Sequence, residues 1–171
     1  MGRRGFTVVE IIITVTIMGI LLTLAVVNLN STQVRARDDE RRADVEAIAS
    51  AFENFFQRGT VSTDPGTYPS TTTSDGSNQD ILDKVDGEMN IQSLLAPGIS
   101  DPSIKSFISA TNSTQTTEGV SPQPNLTDYV YQPLQADGSL CTSDLQECRK
   151  FNIFYQLETD GSIEMITSRS Q

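Results

Sequence analysis

The chain has 171 residues with 12 basic and 22 acidic side chains, a formal charge of −10, and neither His nor Trp. That length allows one domain of modest size with an attached segment. Lack of His removes the commonest general base and any His-based metal site, and the acidic balance excludes a dedicated nucleic-acid domain, since phosphate binding needs clustered Lys and Arg.

The chain opens with Arg3 and Arg4, then Gly5-Phe6-Thr7-Val8-Val9-Glu10. Between Ile11 and Val34 nothing is charged, and Ile11 to Val27 is Ile, Val, Leu, Met and Ala broken only by Thr14, Thr16, Gly19 and Thr23. At about 1.5 Å per residue this run crosses a hydrocarbon core of roughly 30 Å. Arg3 and Arg4 are expected to hold the N-terminal side in the cytoplasm. Glu10 is out of place in a plain anchor. An acidic residue costs about 2.5 to 3.5 kcal/mol at the bilayer centre, less near a helix end, and its default reading is a function with a cationic partner.

Gly5-Phe6-Thr7-Val8-Val9-Glu10 ahead of an uncharged apolar run resembles the class III signal of type IV pilins and the related type II secretion pseudopilins. The resemblance implies cleavage between Gly5 and Phe6 by a prepilin peptidase, and N-methylation of Phe6 by the same enzyme. It also implies that Glu10 pairs with the N-terminal ammonium of a neighbouring subunit. Such a pair in low dielectric both drives docking and sets the axial stagger, because either charge alone there is heavily penalised. Loss of residues 1–5 would take the charge from −10 to −12. An ordinary secretory signal fits less well, because no small-x-small cleavage site stands near Asn28. The family often has a proline where this chain has Val27.

From Arg35 the composition changes. Arg35, Arg37, Asp38, Asp39, Glu40, Arg41, Arg42 and Asp44 interleave both signs. Arg35 with Asp39, Asp38 with Arg42, and Arg42 with Glu46 stand four apart, the spacing of pairs on a continuing helix. They read as a solvated helix face or as bridges between subunits. Val45, Ile48, Ala49, Phe52, Phe55 and Phe56 follow as an amphipathic stripe. The expected helix runs from Phe6 to about Arg58, on the order of 80 Å long, and Gly59 is its expected stop. The segment from Ala36 through Phe52, with Gly66-Thr67-Tyr68-Pro69 after it, also resembles the second half of the long helix of major pseudopilins.

Thr60 to Asp80 reads as a long Ser/Thr/Gly/Pro surface loop. Met89 to Ala96 and Ser103 to Ala110 read as short helices with Leu94, Leu95, Ile104, Phe107 and Ile108 as core candidates. Ala110 to Leu126 reads as a second polar tract. Tyr129 to Gln132 reads as a strand closed by Pro133. Phe151 to Leu157 and Ile163 to Thr167 read as a hairpin about Thr159-Asp160-Gly161-Ser162. Three or four antiparallel strands are expected to cover the Phe52 stripe.

No catalytic constellation, phosphate-cradling loop or metal-loop spacing is legible, so no enzyme activity, cofactor or metal is expected. Asp137-Gly138 and Asp160-Gly161 read as turns before calcium ligands. Cys141 and Cys148 bracket six residues. In an exported region such a pair is read as a structural disulfide, since Asp144 and Glu147 oppose a reactive thiolate and zinc needs more ligands. The pair also resembles the C-terminal disulfide loop of many type IV pilins.

The fold expected is α+β and pilin-like, a long N-terminal helix packed on a small C-terminal antiparallel sheet. Its parts are a leader (1–5), a hydrophobic transmembrane and assembly helix (6–34), the amphipathic half of that helix (35–58) and a globular head (59–171). By resemblance the function is that of a self-assembling filament subunit, kept in the lipid bilayer as a single-pass protein with an exported head before it reaches the cell surface. Its implied partners are the prepilin peptidase/methyltransferase, an inner-membrane assembly platform and a motor ATPase. The alternatives are a type II secretion pseudopilin and a membrane-tethered binding domain that does not polymerise.

Overall fold

The structure is a computed structural model and describes residues 6–59, 65–85, 87 and 89–169, with the side chains of 25–28 outside the description. Residues 1–5, with Arg3, Arg4 and Gly5, therefore lie outside it. The chain divides into two units, Met1–Ala36 and Arg37–Gln171.

Helix α1 spans Val8–Arg58. Thr7 caps it: its Oγ1 accepts the Glu10 N–H at 3.2 Å, which satisfies one of the orphan donors of the first turn. Gly59 ends it with φ +64 and an N–H donated to Phe55 O at 2.7 Å, a left-handed stop open to glycine at little cost.

In the first unit every large apolar side chain from Phe6 to Leu24 is exposed. Among the described residues α1 is the one helix long and apolar enough to cross a membrane, judged by length and composition. The threonines that break the apolar run turn their hydroxyls onto their own helix backbone. Thr14, Thr16 and Thr23 donate to the carbonyls of Ile11, Ile12 and Ile20 on their own helix. Gly19 has nothing within 4 Å of where a Cβ would stand.

The second unit is built on a four-stranded sheet in the order β1 (Phe107–Ser109), β2 (Tyr129–Leu134), β3 (Lys150–Gln156), β4 (Ile163–Thr167). The β2, β3 and β4 strands form an antiparallel meander, while β1 lies parallel to β2. Alternation sends Phe107, Tyr129, Tyr131, Phe151, Ile153 and Tyr155 into one core with Val45, Ile48, Phe52 and Phe55 of α1. Phe52 is its centre, with ring centroids 5.0 Å from Tyr131, 5.7 Å from Phe151 and 6.0 Å from Phe107. The outer face carries a smaller cluster of Ala110, Val120, Val130 and Phe154.

Four expectations change. Ser103 to Ala110 contains a strand, not a helix: Ile104, Phe107 and Ile108 have helical spacing, but Phe107–Ser109 pairs with Tyr129–Tyr131 and Ile104 stays exposed. The sheet is mixed rather than wholly antiparallel, for the same reason. Pro133 sits inside β2, opposite Phe151. It is tolerated because β1 ends opposite Tyr131 and the segment that follows it there, Leu140–Cys141, donates the Cys141 N–H to Pro133 O at 2.9 Å while the Cys141 carbonyl accepts from Thr71, so the missing N–H leaves the Cys141 carbonyl satisfied. The supposed loop up to Asp80 contains two short helices, α2 (Thr71–Ser74) and α3 (Asn78–Lys84). Ser77 and Asp80 form a reciprocal capping box at the head of α3. The Met89 to Ala96 segment holds a 3-10 turn at Ile91–Leu94.

Candidate assembly segment and head clasp

Glu10 stands in the first turn of α1. Its local setting adds a reason for a carboxylate that the apolar run alone did not suggest. Thr7 and Glu10 stand in the S/T-x-x-E spacing of a capping box, and a negative charge at a helix N-terminus is favoured by the unpaired N–H groups there. Phe6, just before the cap, is 78% exposed. Cap, acid and exposed Phe6 lie within five residues, ahead of an unburied apolar helix.

In the second unit the charged block of α1 is used mainly within the chain, in place of Asp38–Arg42 and Arg42–Glu46 pairs. Asp38 and Arg41 are each 2% exposed. The Asp38 carboxylate accepts the N–H of Glu158 at 2.7 Å and the N–H and hydroxyl of Thr159 at 3.0 and 2.6 Å, with Arg41 Nη1 at 3.1 Å. Arg37 grips Glu158 through Nε and Nη2 at 2.7 and 2.5 Å. Arg41 reaches Glu158 at 3.6 Å and Leu126 O at 3.2 Å. Arg42 bridges Asp39 and Glu164, and Glu164 also accepts the Tyr155 hydroxyl. Together these contacts clasp the β3–β4 turn to α1. Burial pushes the Asp38 carboxyl up, but the Thr159 hydroxyl, the two backbone N–H groups and Arg41 leave it below its ordinary value. The hydrogen bond from Arg37 likewise lowers Glu158.

Asp44 differs. It accepts the Tyr129 hydroxyl at 3.3 Å. Burial, only partly offset by that bond and reinforced by Glu40, pushes its carboxyl up to about 7. In the sequence Asp44 reads only as one charge of the block.

Cys141 and Cys148 form a disulfide, and both are buried. The loop is anchored throughout. Tyr68 N–H donates to Cys148 O at 2.8 Å and Thr71 N–H to Cys141 O at 3.0 Å. Asp144 accepts from Ser70 at 2.6 Å, Thr73 at 3.1 Å and Lys84 at 3.1 Å. At the apex Leu145 is 96% exposed. Replacing both cysteines by Ser is expected to lower stability by about 2 to 3 kcal/mol, as closing a short loop implies; the guanidinium midpoint of the full chain in detergent measures it. Asp137 and Asp160 accept from the N–H and hydroxyl of Ser139 and Ser162, each two residues on, which is turn chemistry. Among the described residues no group of three or more potential metal ligands gathers.

The N-terminal pattern has a counterpart among known families. Residues 1–26 match the prokaryotic N-terminal methylation motif. The methylation motif thus covers Gly5, Phe6, Glu10 and most of the apolar run. The chain is similar to the type IV major pilin protein PilA of Myxococcus xanthus, 38% identical over 54 residues, 32% of this chain and 24% of that protein. It is also similar to the type II secretion system core protein G of Klebsiella michiganensis, 35% identical over 70 residues, 41% of this chain and 45% of that protein. The aligned stretches span less than half the length of either relative. No solved structure matches the chain. The methylation motif and the order of helix before sheet make the arrangement pilin-like.

Proposed function

We propose that the chain is a structural subunit of a type IV pilus-like filament, cut between Gly5 and Phe6, methylated at the new Phe6 amine and assembled through α1. The observation that carries the reading is the methylation motif over residues 1–26, laid on a helix whose apolar side chains are unburied. Hydrolysis of the Gly5–Phe6 bond frees an ammonium at Phe6, four residues before Glu10. That ammonium and the Glu10 carboxylate of an adjoining subunit are the complementary charges, and the apolar helix leaves lipid for a bundle of like helices. The work of extraction falls to a motor ATPase behind an inner-membrane platform, and processing to a prepilin peptidase that also methylates. Residues 1–5 are then the leader, 6–34 the assembly helix and 59–171 the exported head.

The type II secretion pseudopilin is the second reading, and the likeness to core protein G favours it. The two differ in where the polymer stands. Mass spectrometry of protein sheared from intact cells tests this. A chain beginning at N-methylated Phe6 in the sheared fraction supports the surface filament. The same chain confined to membranes supports the pseudopilin. A chain beginning at Met1 overturns both. Glu10→Ala is expected to leave the protein in the membrane and reduce sheared filament to background; filaments in normal yield would remove Glu10 from the mechanism.

A further inference from the structure

Strand β4 stands at one edge of the sheet, and its backbone is bonded on one side. Ser168 N–H donates to Phe151 O and Leu157 N–H to Ser162 O. With Asn152 opposite Thr167 and Gln156 opposite Ile163, the antiparallel alternation gives the bonds to β3 to Glu164 and Ile166. The N–H and C=O groups of Ile163, Met165 and Thr167 therefore point away from the sheet. Among the described residues none of these groups has a hydrogen-bond partner.

A free edge invites another strand, and folded proteins usually guard it with proline, lysine, a bulge or a very short strand. Strand β4 lacks these guards. It has neither Pro nor Lys, and its register with β3 runs unbroken from Ile163 to Thr167. Its one charge, Glu164, is matched by Arg42. Met165, on the outer face, is 37% exposed.

Geometry and charge decide which strand fits. A second β4 running antiparallel engages all three free residues when Met165 lies opposite Met165 and Ile163 opposite Thr167. Each free N–H then meets a free carbonyl. The same register carries Arg169 to Gly161 of the other copy, beside Asp160, and symmetry repeats the match. Both side chains are exposed, and among the described residues no carboxylate pairs with the Arg169 guanidinium. The other edge strand, β1, offers three residues beside α2.

We propose that β4 is a docking surface for β4 of a second copy, the two strands pairing antiparallel about Met165 into one continuous sheet. The pairing is two-fold and therefore closed. Its axis stands normal to the sheet and reverses every direction within it. On the filament reading, subunits of one filament run the same way, so this contact joins subunits of two filaments side by side. The pairing itself does not depend on that reading.

The test is amide hydrogen exchange on the full chain in detergent micelles across a dilution series, beside sedimentation for oligomeric state. The N–H groups of Ile163, Met165 and Thr167 are expected to gain about tenfold protection or more from the dilute to the concentrated end. Those of Glu164 and Ile166, already bonded to β3, are expected to change less. Met165→Pro removes an N–H that β3 does not use, so it is expected to fold, as proline is tolerated on an edge strand, and to abolish the gain. Met165→Lys sets a charged guard on the exposed face; it is expected to do the same, and it decides the matter if the proline chain does not fold. Arg169→Glu is expected to weaken association several-fold, because it places two acids side by side. Exchange that ignores concentration overturns the proposal. So does association that persists in Met165→Lys, which places it on another surface, or protection gained instead at Phe107 and Ser109, which marks β1 as the partner strand. Equal association of wild type and Arg169→Glu overturns the register.

Discussion

Asp38→Ala is expected to destabilise the second unit by roughly 3 to 5 kcal/mol, the cost of breaking a buried charge pair from one side. The change leaves Arg41, already with a buried Nε lacking an acceptor, with the Leu126 carbonyl at 3.2 Å and the more distant Glu158 as its remaining anionic partner at 3.6 Å. It also strips the acceptor from the N–H groups of Glu158 and Thr159. Replacing both members together, Asp38→Leu with Arg41→Met, is expected to recover much of the loss, because the uncompensated charge goes too. Guanidinium unfolding of the full chain in detergent distinguishes the cases. A double variant as weak as Asp38→Ala would show that shape rather than charge balance governs the site. The pH dependence has a definite sign. The folded Asp38 carboxyl titrates below its ordinary value, so its stabilisation is complete above the unfolded value and is lost as pH falls through the folded one. Wild type is expected to lose more stability than the double variant in acid.

Phe52→Ala is the second large effect, about 3 to 5 kcal/mol. Phe52 is fully buried and meets three rings contributed by β1, β2 and β3. Its removal opens a cavity at the point where helix and sheet meet, and it also ends edge-to-face contacts worth about 0.5 to 1.5 kcal/mol each. Phe52→Leu keeps most of the volume and is expected to cost clearly less. Denaturant midpoints of the two variants measure the difference. Equal losses from both would mean that ring contacts, not the cavity, dominate.

The stripe Val45, Ile48, Ala49, Phe52 and Phe55 was legible because burial on one side of a helix imposes the 3.6-residue period. The β3–β4 hairpin was legible from the aromatic and β-branched content of its strands and from Asp160-Gly161, where Gly161 takes φ +73. The errors have local causes. Ile104, Phe107 and Ile108 match a helical period by coincidence over a segment too short to decide it. The Ser77 to Asp80 spacing is a capping signal, but it stands in a Ser/Thr/Gly/Asp-rich stretch whose composition is that of a loop. Thr7 and Glu10 share that spacing, in a stretch where the charge of Glu10 beside an apolar run is the stronger signal. The clasp was not legible in any detail. Nothing near Asp38 or Arg41 in the chain indicates that their partners stand about 120 residues away. The disulfide pairing was legible because there are two cysteines; its anchoring through Asp144 was not.

The distance along the chain between Asp38 and its acceptor partners bears on the order in which the protein is made. The spine emerges from the ribosome first, and the β3–β4 turn that satisfies it comes more than a hundred residues later. Until then Asp38, Arg37 and Arg41 must stay hydrated, and the aromatic stripe beside them has no sheet to rest on. At synthesis rates of about 5 to 20 residues per second, that interval is several seconds or more. A polypeptide cut short before Glu158 cannot complete the clasp at all. It would present an open helix face to proteases, so completeness of synthesis is itself a condition for a second unit able to persist.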